Sequence, residues 1–126
     1  MAGVALELRL RVAAANTDLD ERAFRFACGL IRYARTIRAE PGIRTLVDQL
    51  IGAGGSVAAN RQEATAASSR REFVRYNEIA LRSANESVLW LRICDATRLG
   101  DPATASELLG EARQIARILA PVQLVR

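Results

Sequence analysis

Three glycines within four positions, Gly52, Gly54 and Gly55 in the stretch LIGAGGSVAAN (residues 50–60), have the type and spacing with which enzymes cradle a phosphate. A phosphate-binding loop of the G-x-x-x-x-G-K-S/T kind also needs a lysine, and the chain has none. The dinucleotide pattern G-x-G-x-x-G fails at Val57, where its third glycine would stand. It would also need a preceding strand, whereas Ile43 to Ile51 has helical spacing. What these glycines favour is therefore packing. Each costs on the order of 1 kcal/mol relative to alanine inside a helix, and close approach of a neighbouring helix offsets that cost.

Other reactive types are sparse. The chain contains no histidine, which removes the commonest general base and the commonest zinc ligand. Asp18, Asp20 and Glu21 could hold a hard metal ion, as a metal-dependent nuclease would require. The simpler expectation is that they stabilise the positive end of a helix starting near residue 19, with Asp18 or Asp20 as N-cap. Cys28 and Cys94 are too few for a disulfide framework and have no histidine to activate them, so free, half-buried thiols are expected. No catalytic, metal or cofactor set emerges, and the expectation is a protein that is not an enzyme.

All 18 basic residues are arginine, and the formal net charge is +4. Guanidinium groups grip phosphates bidentately, although a GC-rich genome also spells positive charge as arginine. Arg25, Arg32 and Arg35 share the polar side of one predicted helix, and Arg70, Arg71, Arg75 and Arg82 gather along another. Glu78 and Arg82 have the spacing of an ordinary i,i+4 pair. Arg61 prolongs the Ile43, Leu50, Val57 stripe with a charge, which suggests the end of a bundle, a pore or an interface. These eight arginines are the candidate nucleic-acid-binding set.

The elements that must position them are helices. Apolar side chains recur at helical spacing over residues 19–38 (Leu19, Ala23, Phe26, Leu30, Ala34, Ile37), and Pro41-Gly42 breaks the chain. A second helix is expected over 43–66. Ser69 and Glu72 read as a reciprocal capping box opening a third over 69–98. Gly100-Asp101-Pro102 supplies a stop, an N-cap and a first-turn proline for a fourth over 102–121, with Leu108, Ala112, Ile115, Leu119 and Val122 on one face. Four helices joined by short connections predict an all-α, antiparallel up-and-down bundle over 19–126. Residues 1–18 form an N-terminal extension in which Leu6, Leu8, Leu10 and Val12 alternate with Glu7, Arg9 and Arg11. That is the period of a half-buried strand, although a lone strand cannot satisfy its backbone, so an extra helical turn is the alternative. No apolar run approaches the roughly 18–20 residues needed to span a bilayer, and a cytoplasmic protein without membrane association is expected.

Two helices carry a second apolar stripe. Phe24, Cys28 and Ile31 lie well away from the Leu19, Phe26, Leu30 face, and Ile79, Trp90 and Ile93 lie away from Phe73, Ala80 and Leu91. In a small bundle each helix needs one apolar face. These six residues are the candidate oligomer interface, unless the third helix is simply the most central one.

The stretch from Gln49 to Ile93 resembles the four-helix-bundle proteins encoded in intervening sequences of bacterial 23S ribosomal RNA genes. The matching features are Gln49-Leu50, Ser56-Val57, Asn60, Glu63-Ala64, the helix start from Ser69 to Phe73, Ile79-Ala80, Ser83, Glu86 and Trp90-Leu91. The sequence departs at Arg61, where the family usually has an aliphatic residue, and at Gly52 and Gly55. The resemblance implies an up-and-down four-helix bundle that assembles as a ring-like homopentamer. It offers no catalytic residues. A related protein, the accessory factor of diversity-generating retroelements, implies binding of nucleic acid together with a reverse transcriptase. The expectation is a homo-oligomeric accessory or scaffold that binds RNA or DNA. A protein-interaction module without a nucleic-acid role is the alternative, and a metal-dependent nuclease a third.

Overall fold

The computed structural model describes residues 2–38 and 40–123, which form four helices and, among the described residues, no strand. They are α1 (Ala2–Ala34), α2 (Pro41–Thr65), α3 (Arg70–Ala96) and α4 (Pro102–Gln123). Met1, at the head of the expected extension, and residues 124–126, at the end of the expected 19–126 unit, lie outside the described residues. So does the side chain of Val122.

The alternating segment is helix, not strand. Leu, Ala, Arg and Glu are strong helix formers, and among the described residues no second strand offers this segment a partner. Residues 6 to 12 therefore continue α1 without interruption. Asp18 and Asp20 consequently stand in mid-helix and cap nothing. α1 stops at Ala34, short of the expected 38, where the Thr36 hydroxyl donates to the Tyr33 carbonyl (2.6 Å) and the Ile37 amide turns back to Ala34. Pro41 opens α2 rather than breaking the chain ahead of it. Its fixed φ suits the first helical position, where a missing N–H leaves no bond unmade.

The caps of the later helices follow from local chemistry. Ser69 Oγ accepts from the Glu72 amide at 3.2 Å, but the Glu72 carboxylate turns to the amide and hydroxyl of Ser68 rather than to Ser69. The box is thus offset by one residue. Gly100 has φ +66°, and a Cβ there would meet Thr36, Ile37 and Tyr33 within 3 Å. Asp101 Oδ2 accepts from the amide (2.9 Å) and hydroxyl (2.5 Å) of Thr104, which caps α4 and holds the Asp101 carboxyl below its usual pKa.

The four helices share one core, formed by Phe26, Leu30 and Tyr33 of α1, Leu50 and Val57 of α2, Ala84 and Leu91 of α3, and Ile115 and Leu119 of α4. Around it α1 packs on α2, α2 on α3, α3 on α4 and α4 on α1, so α1 and α3 face each other across the core without adjoining. Gly54 leaves room for a side chain of the facing helix: a Cβ there would stand 2.0 Å from Leu30 Cδ1. Gly52 and Gly55 do not share that role, because they point outward and meet nothing within 4 Å. Among the described residues, no helix is long and apolar enough to cross a membrane.

Candidate nucleic-acid interface

α3 carries the more coherent basic surface. Positions 71, 75, 78 and 82 succeed one another at spacings of four, three and four, so Arg71, Arg75, Glu78 and Arg82 follow one line along the helix. Arg71, Arg75 and Arg82 are exposed, and Arg70, Arg71 and Arg75 line a shallow cleft with Val74 and Glu78. Three guanidinium groups and one carboxylate line that cleft, so its formal charge is net positive.

The α1 arginines belong to a different place. Arg25 and Arg32 are exposed and line a groove between α1 and α4, facing Glu107 and Glu111, while Arg35 is exposed just past the end of α1. Because α1 and α3 do not adjoin, the candidate residues form two surfaces rather than one. The α1–α4 groove is electrically mixed. Arg22, absent from the candidate set, donates to Glu111 Oε1 from Nε (2.9 Å) and Nη2 (2.5 Å), and also to Gln114. The bond to Glu111 raises the Arg22 pKa.

Arg61 does not belong to either surface. It is 1% exposed, and its guanidinium donates to Asn77 Oδ1 (2.6 Å), Asn16 Oδ1 (3.1 Å) and Thr65 Oγ1 (3.3 Å). Asp20 Oδ1 lies 3.0 Å from its Nη2. The α2 stripe does point inward at residue 61, but α1 continues upstream and lays Asn16 and Asp20 over it. No phosphate can reach it. Burial pushes its pKa below the ordinary arginine value, opposed by the charge and hydrogen bonding of Asp20. The same contacts engage Asp20, which also accepts from the Thr65 hydroxyl at 2.5 Å. That takes from the nuclease reading its central carboxylate. Among the described residues, no group of three metal-ligating side chains stands together.

The candidate interface residues divide in two. Phe24 and Ile31 are 57% and 44% exposed on the outer face of α1, with Cys28 half-buried between them. Ile79, Trp90 and Ile93 are half-buried. Trp90 packs against the core while its Nε1 donates to Glu86 at 3.2 Å. Half-burial within one copy leaves less of these three side chains for a partner than Phe24 and Ile31 offer. Sequence reasoning missed Leu89 and Ile118, and above all Val4, Leu6, Leu8, Leu10 and Val12, all more than half exposed. Carrying the 3.6-residue period of α1 upstream of Leu19 would have found the last five.

The chain matches the sequence profile of the 23S rRNA-intervening sequence protein family over residues 16–121. No curated protein matches it. Among solved structures, it is similar to a protein of unknown function from the S23 ribosomal protein family of Bacteroides thetaiotaomicron VPI-5482. The TM-score is 0.75 at 24% identity, over 83% of this chain and 97% of that one. At that identity the likeness concerns the fold.

Proposed function

This chain belongs to the 23S rRNA-intervening sequence protein family, and from that we propose a non-enzymatic protein that self-associates and binds RNA or DNA through α3. Its helices run up and down as an antiparallel bundle, and its copies close into a ring, five of them by the family resemblance. The observation that carries the nucleic-acid reading is the exposed line of Arg71, Arg75 and Arg82 beside the Arg70 cleft. Guanidinium groups repeated along a helix suit phosphates repeated along a backbone, and a ring multiplies the contacts. The outer stripe of Phe24, Cys28 and Ile31 supports self-association, because a lone copy leaves it in water. A reverse transcriptase or another protein is a further partner on this reading.

The test is affinity for duplex DNA and for RNA across a salt series. Binding that weakens steeply with salt, and that Arg71→Ala with Arg75→Ala reduces, supports the proposal. No binding at low salt overturns it. The exposed Phe24 and Ile31 also suit a protein-interaction module, which predicts a partner that remains bound after nuclease treatment.

A further inference from the structure

The outer face of α3 changes character along its length. Arg71, Arg75 and Arg82 are followed, two turns beyond Arg82, by Leu89, which is 47% exposed, and then by Ile93 and Ala96. Positions three, four and seven apart share one side of a helix. The line of guanidinium groups therefore runs into an apolar patch, roughly 10 Å past its last member at 1.5 Å per residue.

That patch opens into a groove between α3 and α4. The groove holds about 440 Å³ over Leu89, Ile93, Ala96 and Leu109. Arg92 and Asp95 stand on its α3 side and Arg113 on its α4 side, all three exposed. Among the described residues, none of these three side chains is engaged in a hydrogen bond or an ion pair. The groove is apolar in the middle, cationic on both sides and supplied with one acceptor.

Paired and unpaired nucleic acids offer different chemistry to such a surface. A duplex keeps its base faces stacked inside, and its major groove admits one α-helix, whereas α3 and α4 lie side by side here. A duplex thus meets this face with phosphate and sugar, which suits Arg71, Arg75 and Arg82 but leaves Leu89 in water. An unpaired nucleotide also brings an apolar base face, and bases out of the stack pack on apolar side chains and on guanidinium planes. A cavity of roughly 150 Å³ holds a benzene-sized ring, so the groove has room for a nucleobase, with Asp95 as acceptor for an exocyclic amino group. We propose that the nucleic acid bound along α3 is single-stranded, with one base lying on Leu89 and Ile93 and the neighbouring phosphates held by Arg92 and Arg113. This rests on α3 being the phosphate-binding face and adds to it the class of nucleic acid.

The experiment titrates the full-length chain with three probes of equal length: an unstructured DNA strand, the same strand made abasic, and its duplex. The intact strand should bind most tightly. Leu89→Ala should weaken its binding about fivefold or more, the loss expected for one stacked base, and leave the abasic strand, the duplex and the salt slope unchanged. Leu89 is exposed, so the unfolding midpoint should stay in place. Arg71→Ala with Arg75→Ala should weaken all three probes together. Equal binding of the three probes overturns the single-strand proposal and leaves α3 standing as a phosphate surface, whereas no binding of any probe at low salt removes both. A strand preference indifferent to Leu89→Ala also overturns it. If Leu89→Ala instead releases a protein partner that survives nuclease treatment, and spares the strand, the groove belongs to a peptide and the proposal is overturned.

Discussion

Arg61 Nη2 stands 3.0 Å from Asp20 Oδ1, joining the end of α2 to α1 with the arginine 1% exposed and the aspartate 23%. Desolvating a guanidinium costs several kcal/mol, and a carboxylate together with hydrogen bonds to Asn77, Asn16 and Thr65 must offset it. The arginine Nε finds no hydrogen-bond partner, so the compensation is incomplete. Removing one member of such a pair is costly because the other is left behind.

The first prediction follows. Arg61→Ala should lower the unfolding free energy by about 3 kcal/mol, through the stranded Asp20 and the space left by a large buried side chain. Arg61→Met fills more of that space and should cost less. Adding Asp20→Asn to Arg61→Met should recover part of the loss, since no unpaired charge then remains. Urea unfolding of the four chains would show this, and equal stability of the Met single and double variants would count against it.

The glycine trio yields a second prediction. Gly52 and Gly55 face open space, so alanine at either should raise stability by about 0.5–1 kcal/mol through backbone entropy alone. Gly54→Ala puts a methyl into Leu30 and should lower it by about 1–3 kcal/mol. Thermal melts of the three single variants should split in sign.

How much of this the sequence held depends on the range of the forces involved. The four helices, the Ser69 and Asp101 caps and the stripe through Leu30, Val57, Leu91 and Ile115 follow from period and local chemistry, which neighbouring residues set. The fate of Arg61 depended on whether Asn16 and Asp20 stand above it, and that required residues 1–18 to be helical. A period of two in Leu6–Val12 concealed this, because alternate leucines on a helix fill two opposite faces and mimic a strand. The separation of the α1 and α3 arginines depended on which helices adjoin, something no single helix records.

The third prediction concerns alkaline pH. Tyr33 is buried with its hydroxyl donating to the Leu99 carbonyl at 2.5 Å, and Cys94 is fully buried. Burial is the leading cause that raises both pKa values. A group whose folded pKa lies above its unfolded value contributes fully below the unfolded value and loses that contribution as pH rises past it. Stability should therefore fall above about pH 9 as the unfolded chain loses the Cys94 proton, and further above about pH 10 as it loses that of Tyr33. Urea midpoints from pH 7 to 11 would trace the fall, and Tyr33→Phe should flatten its upper part. A profile unchanged by Tyr33→Phe would mean that another group governs the fall.

The last prediction separates surface arginines from the buried one. Each guanidinium that neutralises a phosphate releases condensed counterions, and losing one contact should reduce the log–log salt slope of binding by about 0.9 on duplex DNA. Arg75→Ala and Arg82→Ala should each produce that reduction and, being exposed, should leave unfolding midpoints nearly unchanged. Arg61→Met should do the reverse. Its guanidinium is committed to Asn77, Asn16 and Asp20, so binding by the fraction that remains folded should keep the wild-type slope while the unfolding midpoint drops. Titrations at several salt concentrations, paired with unfolding curves for the same chains, measure both quantities. A slope that falls with Arg61→Met and not with Arg75→Ala would remove α3 as the phosphate-binding face.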